Sequence, residues 1–445
     1  MNAGFEMQVM AVPDPGLGNT SYVVDLGDGS ALVVDPERDP LPYLTAAHEI
    51  GLVIRHVAET HLHADFVSGA RELVALGASL IAPRGSGLAH AHHPVDGGDE
   101  VPVGDLSLSV VASPGHTPEH VAYVLNDGPN PKILFSGGTL MAGGVARPDL
   151  ISPEHTVPLA HDAYRSVRHL LASLPDHVEV RPTHGGGSFC SAGSAATGGV
   201  STIGSERRGH PALTAPDADA FVTDLLDGLG AYPSYFLRLR PVNQRGPETL
   251  GPDLPPLRPV SPGEIAGRVV IGARPIARFS AGHVPGAVSN ELRDQFGTWL
   301  GWLFSPDTPL VFVLDPDQDE RELVRQALNV GHEAIVGRLD LAAWTAAGEP
   351  LVTVPVLSSS EIPLDAPVVD VRQRSEWDAG HVPGAIHVEL GEVGAHSPVP
   401  GGAVIHCGHG QRAMTAASVF RRQGIASIAV TTAGPQEIAA VRAGR

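Results

Sequence analysis

The sequence is short of several residue types, and each shortage narrows the class of protein. It has two cysteines, Cys190 and Cys407, far apart in 445 residues, so we expect no structural disulfide and treat each thiol as a candidate reactive group. No stretch approaches the roughly 18 to 20 apolar residues that span a bilayer. Residues 1–16 lack a basic start and an apolar core. We therefore expect no secretory signal, no membrane association and a cytoplasmic location.

Positive charge is also scarce. Lysine and arginine total 29 against 49 acidic residues, which gives a formal net charge of −20, and Lys132 is the single lysine. No basic patch is present that could neutralise phosphates, so nucleic acid is not an expected partner. A chain of this length exceeds what one core supports, and two or three domains are expected.

The N-terminal half carries histidines in loops that follow predicted strands. The apolar run LVIRHVAET predicts a strand, and the loop after it contains His61, His63 and Asp65. Further loops, SPGHTPEH and PTHGG, contain His116 and His184. Such a cluster indicates a metal site. Strand and helix patterns alternate around these loops, which predicts a layered α/β/β/α architecture.

The C-terminal half contains an internal repeat. Residues 281–287 and 379–385 both read AGHVPGA, 98 positions apart, and a match of that length indicates two copies of one domain. A proline-rich passage precedes the repeat and predicts a linker. We therefore predict three domains: residues 1–255 with a helical extension and the linker, 259–352 and 357–445.

In the second copy, Cys407 ends a predicted strand, and a short glycine-containing loop leads directly into an amphipathic helix. Glycines allow successive N–H groups to point inward as an anion-binding nest, and the helix N-terminus adds positive potential. A thiolate is stabilised there, so Cys407 is predicted to be reactive; an inert buried thiol is the alternative. In the first copy Leu314 aligns with Cys407 and acidic residues follow. We interpret that copy as an inactive scaffold or docking domain.

The second copy resembles a rhodanese domain, a family that carries sulfane sulfur as a cysteine persulfide. The resemblance implies that Cys407 and Arg412 are catalytic and that the persulfide lies in a cradle of Gly408, His409, Gly410 and Gln411. The matching residues are Asp370, Arg372, Trp377, Gly380, His381, Pro383, Gly384, Cys407, Gly410 and Arg412.

The histidine motifs resemble the His-x-His-x-Asp signature of the metallo-β-lactamase fold. Phe66 stands where hydrolytic members have another histidine. The wider pattern is similar to persulfide dioxygenases fused to tandem rhodanese domains. That resemblance implies one non-haem iron(II) held by His61, His116 and an aspartate, with zinc as the alternative metal. The implied partners are low-molecular-weight thiol persulfides, dioxygen, and sulfite or thiosulfate, and a homo-oligomer is expected.

One family ligand is missing from this sequence. The family reads Phe-Thr-Gly-Asp-Thr-Leu at the third ligand, and this chain reads Phe-Ser-Gly-Gly-Thr-Leu with Gly138 at the aspartate position. Loss of an anionic ligand predicts weaker metal binding. His63, Asp65 or a water could substitute, and His184 is expected near the same site. Cys190 either binds persulfide sulfur near the metal or is a small buried thiol.

These observations leave three functions open. The first is a persulfide dioxygenase–sulfurtransferase that forms sulfite at a mononuclear iron and moves sulfane sulfur through Cys407. The second is a sulfurtransferase only. In this alternative the N-terminal domain has impaired metal binding and serves as a persulfide-binding or regulatory module. The third is a lactamase-fold thioester hydrolase, since this fold supports many reactions.

Overall fold

The structure, a computed structural model, describes residues 7–192, 199–394, 399–425 and 428–443. Residues 1–6, which form part of the segment used to predict the absence of a signal, lie outside this range. The chain divides into one unit of Met1–Leu254 with Leu328–Gly331 and a second of Pro255–Ala327 with His332–Arg445. In the described residues, no helix has the length and apolar character needed to cross a membrane.

The first unit contains a six-stranded sheet in which the strands lie in chain order. The first three strands pair antiparallel, and the next three pair parallel. The strands are β1 (Val9–Asp14), β2 (Asn19–Asp25), β3 (Ser30–Val34), β4 (Val53–Ala58), β5 (Ser79–Pro83) and β6 (His93–Val95), with helices α1 (Leu41–Glu49) and α2 (Ala70–Ala75) between them.

A second six-stranded sheet lies in the same unit, in the order β12-β11-β10-β9-β8-β7. Its strands are β7 (Glu100–Val103), β8 (Leu106–Ala112), β9 (Val121–Asp127), β10 (Asn130–Gly137), β11 (Glu179–Pro182) and β12 (Ser201–Thr202). The helices are α3 (Pro153–Ser173), α4 (Ile203–Arg207), α5 (Pro211–Thr214), α6 (Ala218–Asp227) and α7 (Phe236–Arg245).

Three apolar layers hold this unit together. Tyr22 and Val34 of the first sheet pack with Leu108 and Phe135 of the second, which forms the central layer. A second cluster lies between the first sheet and helices α1 and α2, and a third joins the second sheet to α3 and α6. Because each sheet buries both faces, the unit is an αββα sandwich, and this confirms the predicted fold class.

The second unit contains two five-stranded parallel sheets, and they share one strand order. The first has β13 (Pro259–Val260), β14 (Val269–Gly272), β15 (Val288–Ser289), β16 (Leu310–Val313) and β17 (Ile335–Leu339), with α8 (Ile276–Ala281), α9 (Phe296–Leu303), α10 (Glu320–Asn329) and α11 (Leu341–Ala346). The second has β18 (Val356–Leu357), β19 (Val368–Asp370), β20 (Ile386–His387), β21 (Val404–His406) and β22 (Ala429–Thr431), with α12 (Arg374–Asp378), α13 (Gln411–Arg422) and α14 (Pro435–Ala443).

The two sheets agree in register as well as in order. In the first, Gly272 pairs with Ser289 and Val313; in the second, Asp370 pairs with His387 and His406. Leu314 and Cys407 therefore each follow the same strand position. One apolar cluster contains residues of both copies, including Phe279 and Trp299 of the first and Ile405 and Phe420 of the second. The repeat seen in the sequence corresponds to a repeated topology.

Candidate metal centre and cysteine site

Loops at one end of the sandwich bring the predicted metal ligands together. His61 follows β4, His116 follows β8 and His184 follows β11. Strands β8, β10 and β11 point the same way, because β8 and β10 are each antiparallel to β9 and β10 is parallel to β11. Their carboxyl ends therefore share one edge, which is the usual place for a binding site in such a sheet.

His61, His116 and His184 form one cluster, and the three nitrogens that they offer lie within 4.8 Å of one another. Nε2 of His61 and Nε2 of His184 are 3.3 Å apart. The ring centroids of His61 and His116 are 4.8 Å apart, and those of His116 and His184 are 5.2 Å apart. All three side chains are buried. Three imidazole nitrogens that converge in this way form a typical binding site for a divalent transition metal.

The opposite nitrogen of each ring is already engaged. Nδ1 of His116 donates to the carbonyl oxygen of Arg147 at 2.7 Å, and its Nε2 has no partner among the described residues. Nδ1 of His184 donates to Oδ1 of Asn19 at 2.9 Å. Such contacts fix the tautomer of a metal-binding histidine and direct its Nε2 lone pair at the ligand site.

His61 is oriented by a relay that starts at a carboxylate. Nδ1 of His61 donates to Oγ1 of Thr60 at 2.8 Å, and Thr60 donates to Oδ2 of Asp35 at 2.7 Å. Asp35 has a φ of 49°, a conformation uncommon outside glycine, and its Oδ1 accepts the N–H of Thr60 at 2.7 Å. A strained residue directly after β3 therefore helps to place the metal-site loop.

Burial keeps the three histidines neutral. It lowers the pKa of His116 to about 3, with a further contribution from His184. Burial likewise lowers the pKa of His61 well below its ordinary value and lowers that of His184. Because a neutral imidazole is the form that binds metal, the cluster is prepared for a cation.

His63 has a different environment. Its Nε2 lies 3.2 Å from Oδ1 of Asp35 and 3.6 Å from Oε2 of Glu59, and its ring stacks on Phe66. Burial lowers the pKa of His63, but Asp35, Glu59 and Asp65 outweigh it and raise the pKa to about 9. His63 is therefore held as an imidazolium between carboxylates.

Gly138 lies against the ring of His116. A Cβ atom placed on Gly138 would be 2.9 Å from Cδ2 of His116 and 2.8 Å from Cβ of Ala146. The N–H of Gly138 donates to Nε2 of His120 at 3.1 Å. Gly138 therefore lies beside the predicted metal ligands, but Ala146 and the ring of His116 occupy the space that a side chain would need.

Several residues that support the site were not predicted from the sequence. His120 stacks on His61 with the ring centroids 4.8 Å apart. Asn243 of α7 donates to the carbonyl oxygens of His63 and Phe66 at 2.8 and 2.9 Å and accepts the N–H of Ser68. Asp35 could have been found from the sequence, because it directly follows a buried strand. The sequence around Asn243 has no feature that indicates its role.

Asp65 and Cys190 lie beside the cluster. Oδ2 of Asp65 accepts from Nδ2 of Asn19 at 2.7 Å and is 3.4 Å from Nδ1 of His184. Cys190 is 0% exposed and packs with Phe66 and Tyr235. Burial, reinforced by Asp65, raises the pKa of the Cys190 thiol well above its ordinary value. These surroundings match the small buried thiol rather than a reactive one.

Cys407 follows β21 and precedes α13. Its Sγ accepts the N–H of Gly410 at 3.1 Å, and Gly410 has a φ of 95°. The side chain is 2% exposed. Gly408 and Gln411 are half-buried and His409 is exposed. The amide of Gly410 and the helix N-terminus both stabilise negative charge on the sulfur.

Arg412 is held by a carboxylate on the facing helix. Its Nη1 and Nη2 lie 2.5 and 2.9 Å from the two carboxylate oxygens of Glu376. Behind the loop, Arg372 forms a buried pair with Asp370 at 2.7 Å. The charge of Arg412 is therefore largely compensated, and the two hydrogen bonds fix the orientation of its guanidinium group.

The comparisons with known proteins agree with this geometry. Residues 358–440 match the family described as Rhodanese-like domain. The human protein called persulfide dioxygenase ETHE1, mitochondrial, is 32% identical over 198 residues, which are 44% of this chain and 71% of the relative. The chain belongs to the family that includes ETHE1.

Two further similarities agree with membership of this family. A hydroxyacylglutathione hydrolase from Methylobacillus flagellatus is 44% identical over 122 residues, 27% of this chain and 46% of the relative, so the chain spans about half of that protein's length. A solved metallo-β-lactamase structure from Staphylococcus aureus has 28% identity and a TM-score of 0.65 and covers 75% of this chain and 98% of its own. The ETHE1-like region of this chain has the metallo-β-lactamase fold.

Proposed function

We propose that this protein is an enzyme of sulfur metabolism, a persulfide dioxygenase–sulfurtransferase. In this proposal, dioxygen and water convert a thiol persulfide to thiol and sulfite at a metal that His61, His116 and His184 would hold, and Cys407 carries sulfane sulfur between small molecules. The similarity to ETHE1 and the rhodanese-like match support the two activities.

The transfer activity rests mainly on one observation, the short contact between Sγ of Cys407 and the N–H of Gly410. A thiolate held in this way attacks the outer sulfur of a persulfide or thiosulfate. The new S–S bond forms on Cys407 while the old S–S bond breaks, and its electron pair leaves with the thiolate or sulfite. The N–H of Gly410 then stabilises the negative charge of the persulfide on Cys407.

The residues at the histidine cluster fit a metal. The unpartnered Nε2 of His116 and the neutral state of all three rings support this fit. When bound, a divalent metal on three protein ligands supplies open coordination positions and Lewis acidity. Iron(II) is the metal that the family resemblance implies and zinc is the alternative; here a third imidazole would take the place of the carboxylate.

A second candidate is a sulfurtransferase whose metallo-β-lactamase-fold unit has lost oxygenase chemistry. Gly138, which contributes no ligand, favours it. A thioester hydrolase is supported by the hydroxyacylglutathione hydrolase relatives. It is disfavoured by Phe66, because the phenyl ring that stacks on His63 supplies no donor atom of its own to a second metal.

Metal analysis and oxygen uptake on one preparation separate these candidates. The dioxygenase proposal predicts near one iron per chain and oxygen uptake that depends on glutathione persulfide. The transferase-only candidate predicts substoichiometric metal and no uptake. Thiosulfate:cyanide transfer should disappear in Cys407→Ser and persist in Cys190→Ser; transfer that survives Cys407→Ser contradicts the assignment.

A further inference from the structure

Glu376 lies in α12, and its carboxylate is fixed from two sides. Oε2 accepts the N–H of Gln373 at 3.1 Å, at the start of the helix. The same oxygen accepts from Nη1 of Arg412 at 2.5 Å, and Oε1 accepts from Nη2 at 2.9 Å. Burial raises the pKa of Glu376, but Arg412 outweighs it and the pKa is lowered. Glu376 is therefore an ionised carboxylate that engages both arms of the guanidinium group.

Arg412 belongs to the loop that carries Cys407. Sγ of Cys407 lies 3.1 Å from the backbone nitrogen of Gly410, and Arg412 follows Gly410 by two residues. Successive Cα atoms are 3.8 Å apart, so the Cα of Arg412 lies no more than about 12 Å from the sulfur. The Arg412 side chain is 19% exposed, and water screens such a partly buried charge incompletely. An anion that approaches Cys407 therefore experiences both Arg412 and the carboxylate that compensates it.

The repeat shows that the polarity of this ion pair is not required by the fold. Position 376 corresponds to Arg278 in the first copy, 98 residues earlier. Nη1 of Arg278 lies 2.8 Å from Oδ2 of Asp315, which directly follows Leu314, the residue at the cysteine position. Both copies thus connect helix and loop by an ion pair, but only the copy with the cysteine has the cation on the loop. We therefore attribute the polarity to the chemistry of the cysteine site.

We propose that Glu376 determines the charge of the sulfur donor that Cys407 accepts. By compensating Arg412, it favours persulfides of small thiols, whose reacting end carries at most one negative charge, over the thiosulfate dianion. This inference rests on the proposed transfer at Cys407. With either donor, the thiolate takes the outer sulfur, the S–S bond breaks, and the thiol's sulfur or sulfite leaves with the electron pair. The dianion is repelled more strongly by the thiolate, so a compensated arginine disfavours thiosulfate most.

Steady-state sulfur transfer to cyanide by the full chain tests the proposal. Glu376→Gln keeps the shape of the side chain and removes its charge, so Arg412 becomes available to an anion. KM for thiosulfate should fall by about tenfold, the size of one charge-assisted hydrogen bond, with a smaller change in kcat. KM for the persulfide of 2-mercaptoethanol should change little.

The matched control lies on the same helix. Asp378→Asn removes a carboxylate that pairs with Arg374 at 3.0 Å, and it should leave KM unchanged for both donors. A thiosulfate KM in Glu376→Gln that equals or exceeds the wild-type value overturns the inference. So does an equal fall in KM for both donors, because the proposed effect depends on donor charge.

Alkylation of Cys407 provides a readout that does not need transfer activity. The rate with anionic iodoacetate, relative to neutral iodoacetamide, should rise in Glu376→Gln and return to the wild-type value when Arg412→Gln is added. An unchanged ratio in the single variant, or a raised ratio that persists in the double variant, overturns the role of the pair. If wild-type protein shows no Cys407-dependent transfer, the proposed function fails, and this ratio still decides whether Glu376 shields Arg412 from anions.

Discussion

At the scale of single residues, the metal site depends on partners that hold each histidine from behind. Three rings offer Nε2 to one point only because Thr60, the carbonyl oxygen of Arg147 and Asn19 occupy their Nδ1 atoms. The histidines themselves were predictable, since each follows a predicted strand. Their partners were not, because Asn19 is 165 residues from His184 in the sequence.

The three-histidine arrangement predicts that His184 is required for metal binding. His184→Ala should weaken metal binding by at least 10- to 100-fold, because even partners behind a ligand contribute that much. Metal content after dialysis measures the effect. His48→Ala, an exposed histidine at the end of α1, is the control. Retention of full metal content in His184→Ala would contradict the ligand assignment.

Substitution of Gly138 tests directly whether the missing carboxylate limits metal binding. Gly138→Asp should not raise the iron content above that of the wild type, because its Cβ would press on His116 and Ala146. Overpacking of this kind lowers the free energy of unfolding by ~1–3 kcal/mol, and Gly138→Ala should show a similar loss by denaturant titration. Should Gly138→Asp instead create oxygen uptake where the wild type has none, the transferase-only candidate would be favoured.

At the scale of elements, several strands and helices followed from apolar pattern and turn residues. The Asp-Gly pair at 28–29 predicts the hairpin of β2 and β3, and the apolar period of residues 161–174 predicts the second half of α3. Helix α7 was not predicted, because Pro241 stands inside it and the passage lies next to a proline-rich stretch. The amides of Leu250 and Gly251 in that stretch donate to Glu72, so part of the predicted linker packs on the first unit.

Helix α7 contributes a specific brace to the metal-site loop. Asn243→Leu leaves the carbonyl oxygens of His63 and Phe66 and the N–H of Ser68 without their partner. The free energy of unfolding should fall by ~1–3 kcal/mol, the usual cost of unpaired buried groups. Denaturant titration measures it, with the exposed neighbour Arg245→Ala as the matched control. Equal stability of the two variants would contradict the bracing role.

The N-terminus of α13 allows a matched comparison of two glycines. Gly410 and Gly424, at opposite ends of this helix, have φ values of 95° and 90°, so alanine is strained at both. Only Gly410 donates to Cys407, and only its Cβ would contact Thr432 and Ile276. Gly410→Ala should lower kcat for sulfur transfer well beyond any change in Gly424→Ala. Equal kcat values would show that the loop geometry does not control the thiol.

At the scale of the whole molecule, the repeat in the sequence corresponds to two parallel sheets of identical strand order. Identical residues in both copies could establish that similarity. They could not show that helix α13 of the second copy packs on β15 of the first, where the N–H of Ser289 donates to Oγ of Ser418. The predicted domain boundaries remain a prediction within a chain that divides into two compact units.

The two activities should respond separately to metal removal, because the histidine cluster lies wholly in the first unit and the cysteine loop in the second. Treatment with a chelator should abolish oxygen uptake with glutathione persulfide and leave thiosulfate:cyanide transfer unchanged. Iron(II) added back should restore uptake. A parallel loss of both activities would contradict this separation.

The central claim is that Cys407 carries sulfane sulfur, and mass spectrometry of the intact and digested chain tests it most directly. After incubation with thiosulfate and removal of excess donor, the account predicts one added sulfur atom on the peptide that contains Cys407 and none on the peptide that contains Cys190. Cyanide should then remove it. Sulfur found on Cys190 instead, or on neither cysteine, would contradict the account.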